Sequence, residues 1–222
     1  MTSEPLPDPP ADPAGRLQTV PPAGPYWRVW HPTAHATAAN LPRTFGPLHR
    51  FDPHPAGPPA EHDGVYVLYG SLAFEVSALE VFARGDASPG AVVEVCPRWR
   101  GSLIGAPRTS RLFDLTDEDA AFHVGATPRL GVANLDAVGY GVTQAWGRFF
   151  RAARGVHGVR YPSCRAADRG GIATVLLRQA AIGRVLQQHR LIDDALWPYL
   201  LYTLDSVGVG MARIDRCPRC DR

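Results

Sequence analysis

The chain has 222 residues, 45% hydrophobic and 20% charged, with a net charge of +2 at neutral pH, a length that gives one substantial core or at most two small ones. No apolar run approaches the roughly 18 residues of a membrane span, and so small a net charge does not mark a dedicated nucleic-acid binder through bulk electrostatics. The start carries neither the basic nor the apolar segment of a secretory leader, so the expected location is the cytoplasm.

All 23 basic residues are arginine. Any anion site must therefore be built from guanidinium groups, which are the better bidentate partners for phosphate and carboxylate. Four cysteines, Cys96, Cys164, Cys217 and Cys220, do not make a disulfide framework in a cytoplasmic chain of this length. CPRC at the tail has metal-knuckle spacing, but no second CxxC or HxxxH accompanies it. Zinc would have to recruit Cys96, Cys164 or a histidine from elsewhere, and no metal site is expected.

Fifteen of the 22 prolines precede residue 60. Residues 1–25, which have almost nothing to bury, are expected to form a disordered or extended tail. YWRVW, Tyr26 to Trp30, is suited to a strand, and Arg28 within it must emerge at a surface, a cleft or an ion pair. The long proline- and histidine-rich stretch from His31 to Gly64 contains HRFDP with Arg50, and a loop of that length is either functional or disordered.

The stretch Val65 to Gly85, VYVLYGSLAFEVSALEVFARG, organises the rest. Alternation at Val65, Val67 and Tyr69 predicts a strand, after which Val76, Leu79, Phe82 and Ala83 fall on one side of a helix over Phe74 to Arg84. Glu80 stands at the edge of that buried stripe. Alone, it reads as a boundary residue reaching for water.

Strands are expected over Ala91 to Pro97 and Ser110 to Thr116, and Thr116 with the acids after it reads as a helix N-cap. Gly139 to Gly155 is the clearest amphipathic helix, with Val142, Ala145, Trp146, Phe149 and Phe150 inward and Arg148, Arg151 and Arg154 on a solvated face. Gly158 to Leu177 reads as strand, YPS, loop, strand. Ser163 is by itself a turn former, and no GxSxG elbow surrounds it. Val185 to Ile192 is a strand, Ala195 to Leu204 a helix interrupted at Pro198, and the tail, residues 211–222, is expected to fray. Neither GxGxxG nor GxxxxGK[ST] is present. The pattern predicts one α+β domain over residues 26–210 with a mostly antiparallel, split sheet.

Taken together, Arg28 in YWRVW, HRFDP around Arg50, VLYGS ending at Tyr69, SALEVF with Glu80, and YPSCR with Ser163 resemble the RES domain family. Its arginine, glutamate and serine occur in this chain order. The 11-residue step from Tyr69 to Glu80 resembles the family's strand-to-helix step, whereas His49 stands where glycine is usual.

The resemblance implies a fold similar to ADP-ribosyltransferase toxins and a toxin of a toxin-antitoxin module that cleaves the nicotinamide-ribose bond of NAD. The acceptor would be water, inorganic phosphate or, in some members, a protein. NAD is then substrate rather than cofactor. The implied partner is an Xre-type antitoxin that caps the site, and nucleic acid is met only through it.

Carried over by position, Glu80, Arg28 and Ser163 would be catalytic, and Arg28, Arg50 and Tyr69 would bind NAD. The residue types suit the chemistry. A carboxylate stabilises the oxocarbenium-like ribose or holds its 2'-hydroxyl, two guanidinium groups meet the pyrophosphate, Tyr69 offers a ring to nicotinamide, and Ser163 holds ribose or amide. A protein ADP-ribosyltransferase with a narrow acceptor and a non-catalytic nucleic-acid- or zinc-binding module are the alternatives.

Overall fold

The computed structural model describes residues 5–12, 17–33, 36–83, 90–133, 139–217 and 220. Its first strands are β1 (Tyr26–Trp30), β2 (Phe45–Gly46), β3 (Ala60–Glu61) and β4 (Leu68–Ser71), followed by helix α1 (Phe74–Phe82). Strands β5 (Val92–Val95), β6 (Arg100–Ile104) and β7 (Leu112–Asp114) precede three helices, α2 (Glu118–His123), α3 (Arg129–Val132) and α4 (Tyr140–Ala152). Then come β8 (Gly158–Pro162), β9 (Ile172–Leu176), β10 (Val185–Arg190), α5 (Trp197–Asp205) and β11 (Gly210–Arg213).

Tyr26, Val29 and Trp30 of β1 are buried and the residues between them half-buried, so both faces of the strand are covered. Such a strand belongs inside a sheet. β1 pairs along its whole length with β6, from Tyr26 opposite Ile104 to Trp30 opposite Arg100, and meets β4 on its other side with Trp27 opposite Ser71. The seven-stranded order is β10-β6-β1-β4-β9-β8-β7, and every neighbouring pair is antiparallel except β7 with β8. The fold is therefore α+β around one large, mostly antiparallel sheet. β11 with β5 and β2 with β3 form separate two-stranded pairs.

Alternation divides the side chains of this sheet between two faces. On one face, Val159, Tyr161, Ala173 and Val175 pack against Trp146, Phe149 and Phe150 of α4. Val29 on the same face packs with Phe74, Leu79 and Phe82 of α1 and with Leu200 and Leu204 of α5. The opposite face carries Tyr26, Trp30, Leu68, Ile104 and Leu176.

Two close approaches set the site. A Cβ on Gly147 of α4 would lie 2.4 Å from the Phe51 carbonyl oxygen, and one on Gly131 of α3 would lie 2.6 Å from that of Pro162. Only glycine lets α4 bed against the backbone beside Arg50, and α3 against the end of β8 beside Ser163.

Several expectations need correction. The cap of α2 is Asp117, whose carboxylate accepts from the Ala120 N–H at 3.0 Å, one residue beyond Thr116. Pro198 does not interrupt α5 but lies in its first turn, where the N–H it lacks would have had no helical partner. Arg148 and Arg151 are not simply solvated, since they donate to the His54 and Gly64 carbonyls at 3.2 and 2.7 Å and hold down the 54–64 loop. β6 was not anticipated, because RGSLI has too few apolar positions to show a period.

Both tails engage the domain. The Pro7 carbonyl accepts from the Trp146 indole at 2.8 Å, and Leu6 and Leu17 pack on the α4 core. At the other end, the expected fraying is overturned over residues 211–213, where β11 pairs with β5 from Gly210 opposite Val92 to Arg213 opposite Val95, while 218, 219, 221 and 222 lie outside the described residues. Among the described residues no helix is long and apolar enough to cross a membrane.

Candidate active site

α1 presents Phe74, Val76, Ala78, Leu79 and Phe82 to the core and leaves Glu80 half-buried in its last turn. Ser163 follows β8 in a tight loop fixed by Ser163 N–H to the Gly171 carbonyl and Gly171 N–H to the Ala166 carbonyl, both 2.8 Å. Its hydroxyl is fully buried, donates to Glu80 Oε1 at 2.5 Å and accepts from the Arg165 N–H at 3.2 Å. A serine held in this way fixes the carboxylate's orientation.

The Arg50 loop lies next to this pair. Arg50 is 8% exposed. Its guanidinium donates to the Leu130 and Ala133 carbonyls at 2.5 and 2.6 Å, at the C-terminal end of α3, and meets Cys164 Sγ at 3.8 Å. The cation is thus one residue from Ser163 along the YPSCR loop, and it complements the negative end of α3. The Tyr69 hydroxyl donates to the Arg50 carbonyl at 2.7 Å, and its ring meets His49 edge-on with centroids 5.9 Å apart. The residue after Arg50, Phe51, is fully buried with a φ of +56°, a left-handed conformation that costs a non-glycine residue energy and aims Arg50.

Asp52 anchors the same loop from beneath. It is fully buried, accepts from Arg43 at 2.6 Å and from the Leu48 N–H at 2.8 Å, and bonds His54 Nδ1. Burial opposes its charge, but the hydrogen bond from His54 and the Arg43 guanidinium outweigh it and hold the carboxyl well below the usual carboxylate range.

Arg28 lies elsewhere. Trp27 and Ser71 are opposite each other and so share a face, as does Tyr69 two residues before Ser71, whereas Arg28 is one residue past Trp27. It therefore projects from the other side of the sheet. There it donates to the Ala39 and Leu41 carbonyls at 2.5 and 3.1 Å and lies over the Trp30 ring at 5.7 Å. Burial first, and then the neighbouring Arg43 charge, lower it to about 10, so it remains a cation at neutral pH.

The family model of the RES domain matches residues 25–201. The chain belongs to the RES domain family. This RES domain is similar in fold to a chain in the crystal structure of the M. tuberculosis MbcT-MbcA toxin-antitoxin complex, with a TM-score of 0.51 and 17% identity over 82% of this chain and 91% of that one. A search of curated proteins gave no match.

Of the five residues singled out in the sequence, the RES domain joins Glu80 to Ser163 and Tyr69 to Arg50, and it links the two pairs through Cys164. Arg28 is not brought to this cluster by its hydrogen bonds. His49 and Cys164 were inside quoted motifs without a role, and their contacts with Tyr69 and Arg50 give them one. The carbonyls of Leu130 and Ala133 carry no side-chain signal, so nothing in the sequence announced them.

Proposed function

We propose that this RES domain is the toxin of a toxin-antitoxin module, with an ADP-ribosyltransferase-like catalytic fold, that destroys NAD in the cytoplasm by breaking the nicotinamide-ribose bond. Family membership and the fold shared with a chain of the MbcT-MbcA complex support the toxin reading. The observation that carries the chemistry is the Ser163 hydroxyl bonded to Glu80 beside the Arg50 guanidinium. The partner is a protein antitoxin of the Xre type, because unrestrained NAD loss would kill the host.

In this reading the C1'–N bond breaks with its electron pair going to nicotinamide, which leaves neutral. Positive charge left on the ribose is met by Glu80, held in place by Ser163. Oxygen from water or inorganic phosphate then bonds C1', and the acceptor's proton passes to solvent. Arg50 lends its charge to the pyrophosphate end while its fork holds α3 and Cys164, and Tyr69 offers its ring to nicotinamide. Arg28 is a positioning residue that fixes the Ala39–Leu41 segment.

Purified protein incubated with NAD should release nicotinamide, with free ADP-ribose as product in water and its phosphorylated counterpart when phosphate is the acceptor. No release by the parent protein, or equally fast release by Glu80→Gln, overturns this reading. Labelled NAD that marks a polypeptide instead would make the acceptor a protein.

A further inference from the structure

Four side chains from three separate stretches of the chain converge beside Trp99, whose ring packs against both His31 and Phe82 of α1. His31 follows β1, Cys96 follows β5, and Cys217 and Cys220, linked by the Cys220 N–H to the Cys217 carbonyl at 2.8 Å, come after β11. The ligand atoms all lie within 4.8 Å of one another. His31 Nε2 is 3.6 Å from each of the three sulfurs, Cys96 Sγ is 3.4 Å from Cys220 Sγ, and Cys217 Sγ is 3.8 Å from Cys220 Sγ. A tetrahedral zinc bound at about 2.3 Å to sulfur and 2.0–2.1 Å to nitrogen requires separations of about 3.8 Å between sulfurs and about 3.6 Å from nitrogen to sulfur.

The surroundings fit a ligand set. His31 Nδ1–H donates to the Pro32 carbonyl at 3.0 Å, which keeps the proton on Nδ1 and leaves the Nε2 lone pair towards the sulfurs. The imidazole packs edge-on against Trp99. His31, Cys96 and Cys217 are buried, Cys220 is half-buried, and no disulfide joins the cysteines. Cys-Pro-Arg occurs at both Cys96 and Cys217, and the Arg98 backbone N–H bonds the Cys96 sulfur. Three thiols and an imidazole nitrogen, buried together without disulfides, have no simpler common partner than a soft divalent cation.

We propose that His31, Cys96, Cys217 and Cys220 form a structural zinc site that fastens the C-terminal tail to the ends of β1 and β5. All four positions are filled by protein, so the ion has no open place for water or substrate and plays no part in the chemistry at Glu80. Binding sends three thiol protons to solvent, so affinity falls as pH falls. Its structural effect is to hold β11 on β5 and to close the core of α1 and α5 from below, where Val209, Cys96 and Cys217 are packed. The proposal is independent of the NAD reading.

Metal analysis of the full chain, purified without added metal or chelator, should give one equivalent of zinc. Cobalt exchanged into it should show the intense visible bands of tetrahedral thiolate coordination. Cys217→Ser and Cys220→Ser should each lower zinc below about 0.2 equivalents, while Cys164→Ser keeps it. Cobalt spectra and metal content of the unaltered protein decide the matter even if a variant does not fold. A chain that purifies metal-free and gives no such cobalt spectrum, that carries iron instead, or that shows a Cys96–Cys220 disulfide by mass spectrometry overturns the proposal.

Discussion

The Ser163 hydroxyl and the Glu80 carboxylate are joined by a direct hydrogen bond across 83 residues of chain. Ser163→Ala removes one bond to a charged group, roughly 1.5–3 kcal/mol, and should lower kcat for NAD cleavage on the order of 10- to 100-fold with little change in KM. Glu80→Gln removes the charge itself and should cost on the order of 10²- to 10³-fold. Steady-state kinetics of the two variants check the ranking, and a Ser163→Ala loss that fell entirely in KM would mean the serine touches substrate.

Arg28 separates positioning from binding. If it fixes the Ala39–Leu41 segment, Arg28→Lys should lower the unfolding midpoint, since a lysine cannot serve both carbonyls with one fork. KM for NAD should change by less than about threefold. A tenfold rise in KM at unchanged stability would move Arg28 into the substrate site.

Asp52 should dominate the acid behaviour of the Arg50 loop. Its native carboxyl titrates well below the unfolded value of about 3.9, so its stabilisation is complete above that value and is lost as pH falls towards the native one. Asp52→Asn breaks a buried pair with Arg43 and should destabilise by about 3–5 kcal/mol at neutral pH. Urea midpoints measured from pH 7 down to pH 3 should fall less steeply for the variant than for the parent.

Gly147→Ala tests the seat of the same loop. The added methyl would meet the Phe51 carbonyl at 2.4 Å, and relieving that contact should cost about 1–3 kcal/mol. Because Phe51 follows Arg50, activity should drop in parallel with stability. The exposed helical position Gly141, where an added Cβ meets nothing within 4 Å, is the control and should be neutral or slightly stabilised by alanine.

The sequence alone determined what depends on local period and on motif order: β1 from YWRVW, α1 with Glu80 at the edge of its stripe, α4 from its aromatic face, and the family from five short blocks. Those features survive because neighbours in the chain set them. Tertiary structure decided which of them meet. Arg28 left the cluster because strand pairing fixes which face each residue takes, and a shift of one residue reverses it. Ser163 reached Glu80 only because α1 packs over β1, β4 and β9, and the loop that joins β8 to β9 comes up beside it. The quartet at 31, 96, 217 and 220 stayed hidden because only the CPRC pair is local, and the pairing of β11 with β5 is what carries that pair to the residues that follow β1 and β5.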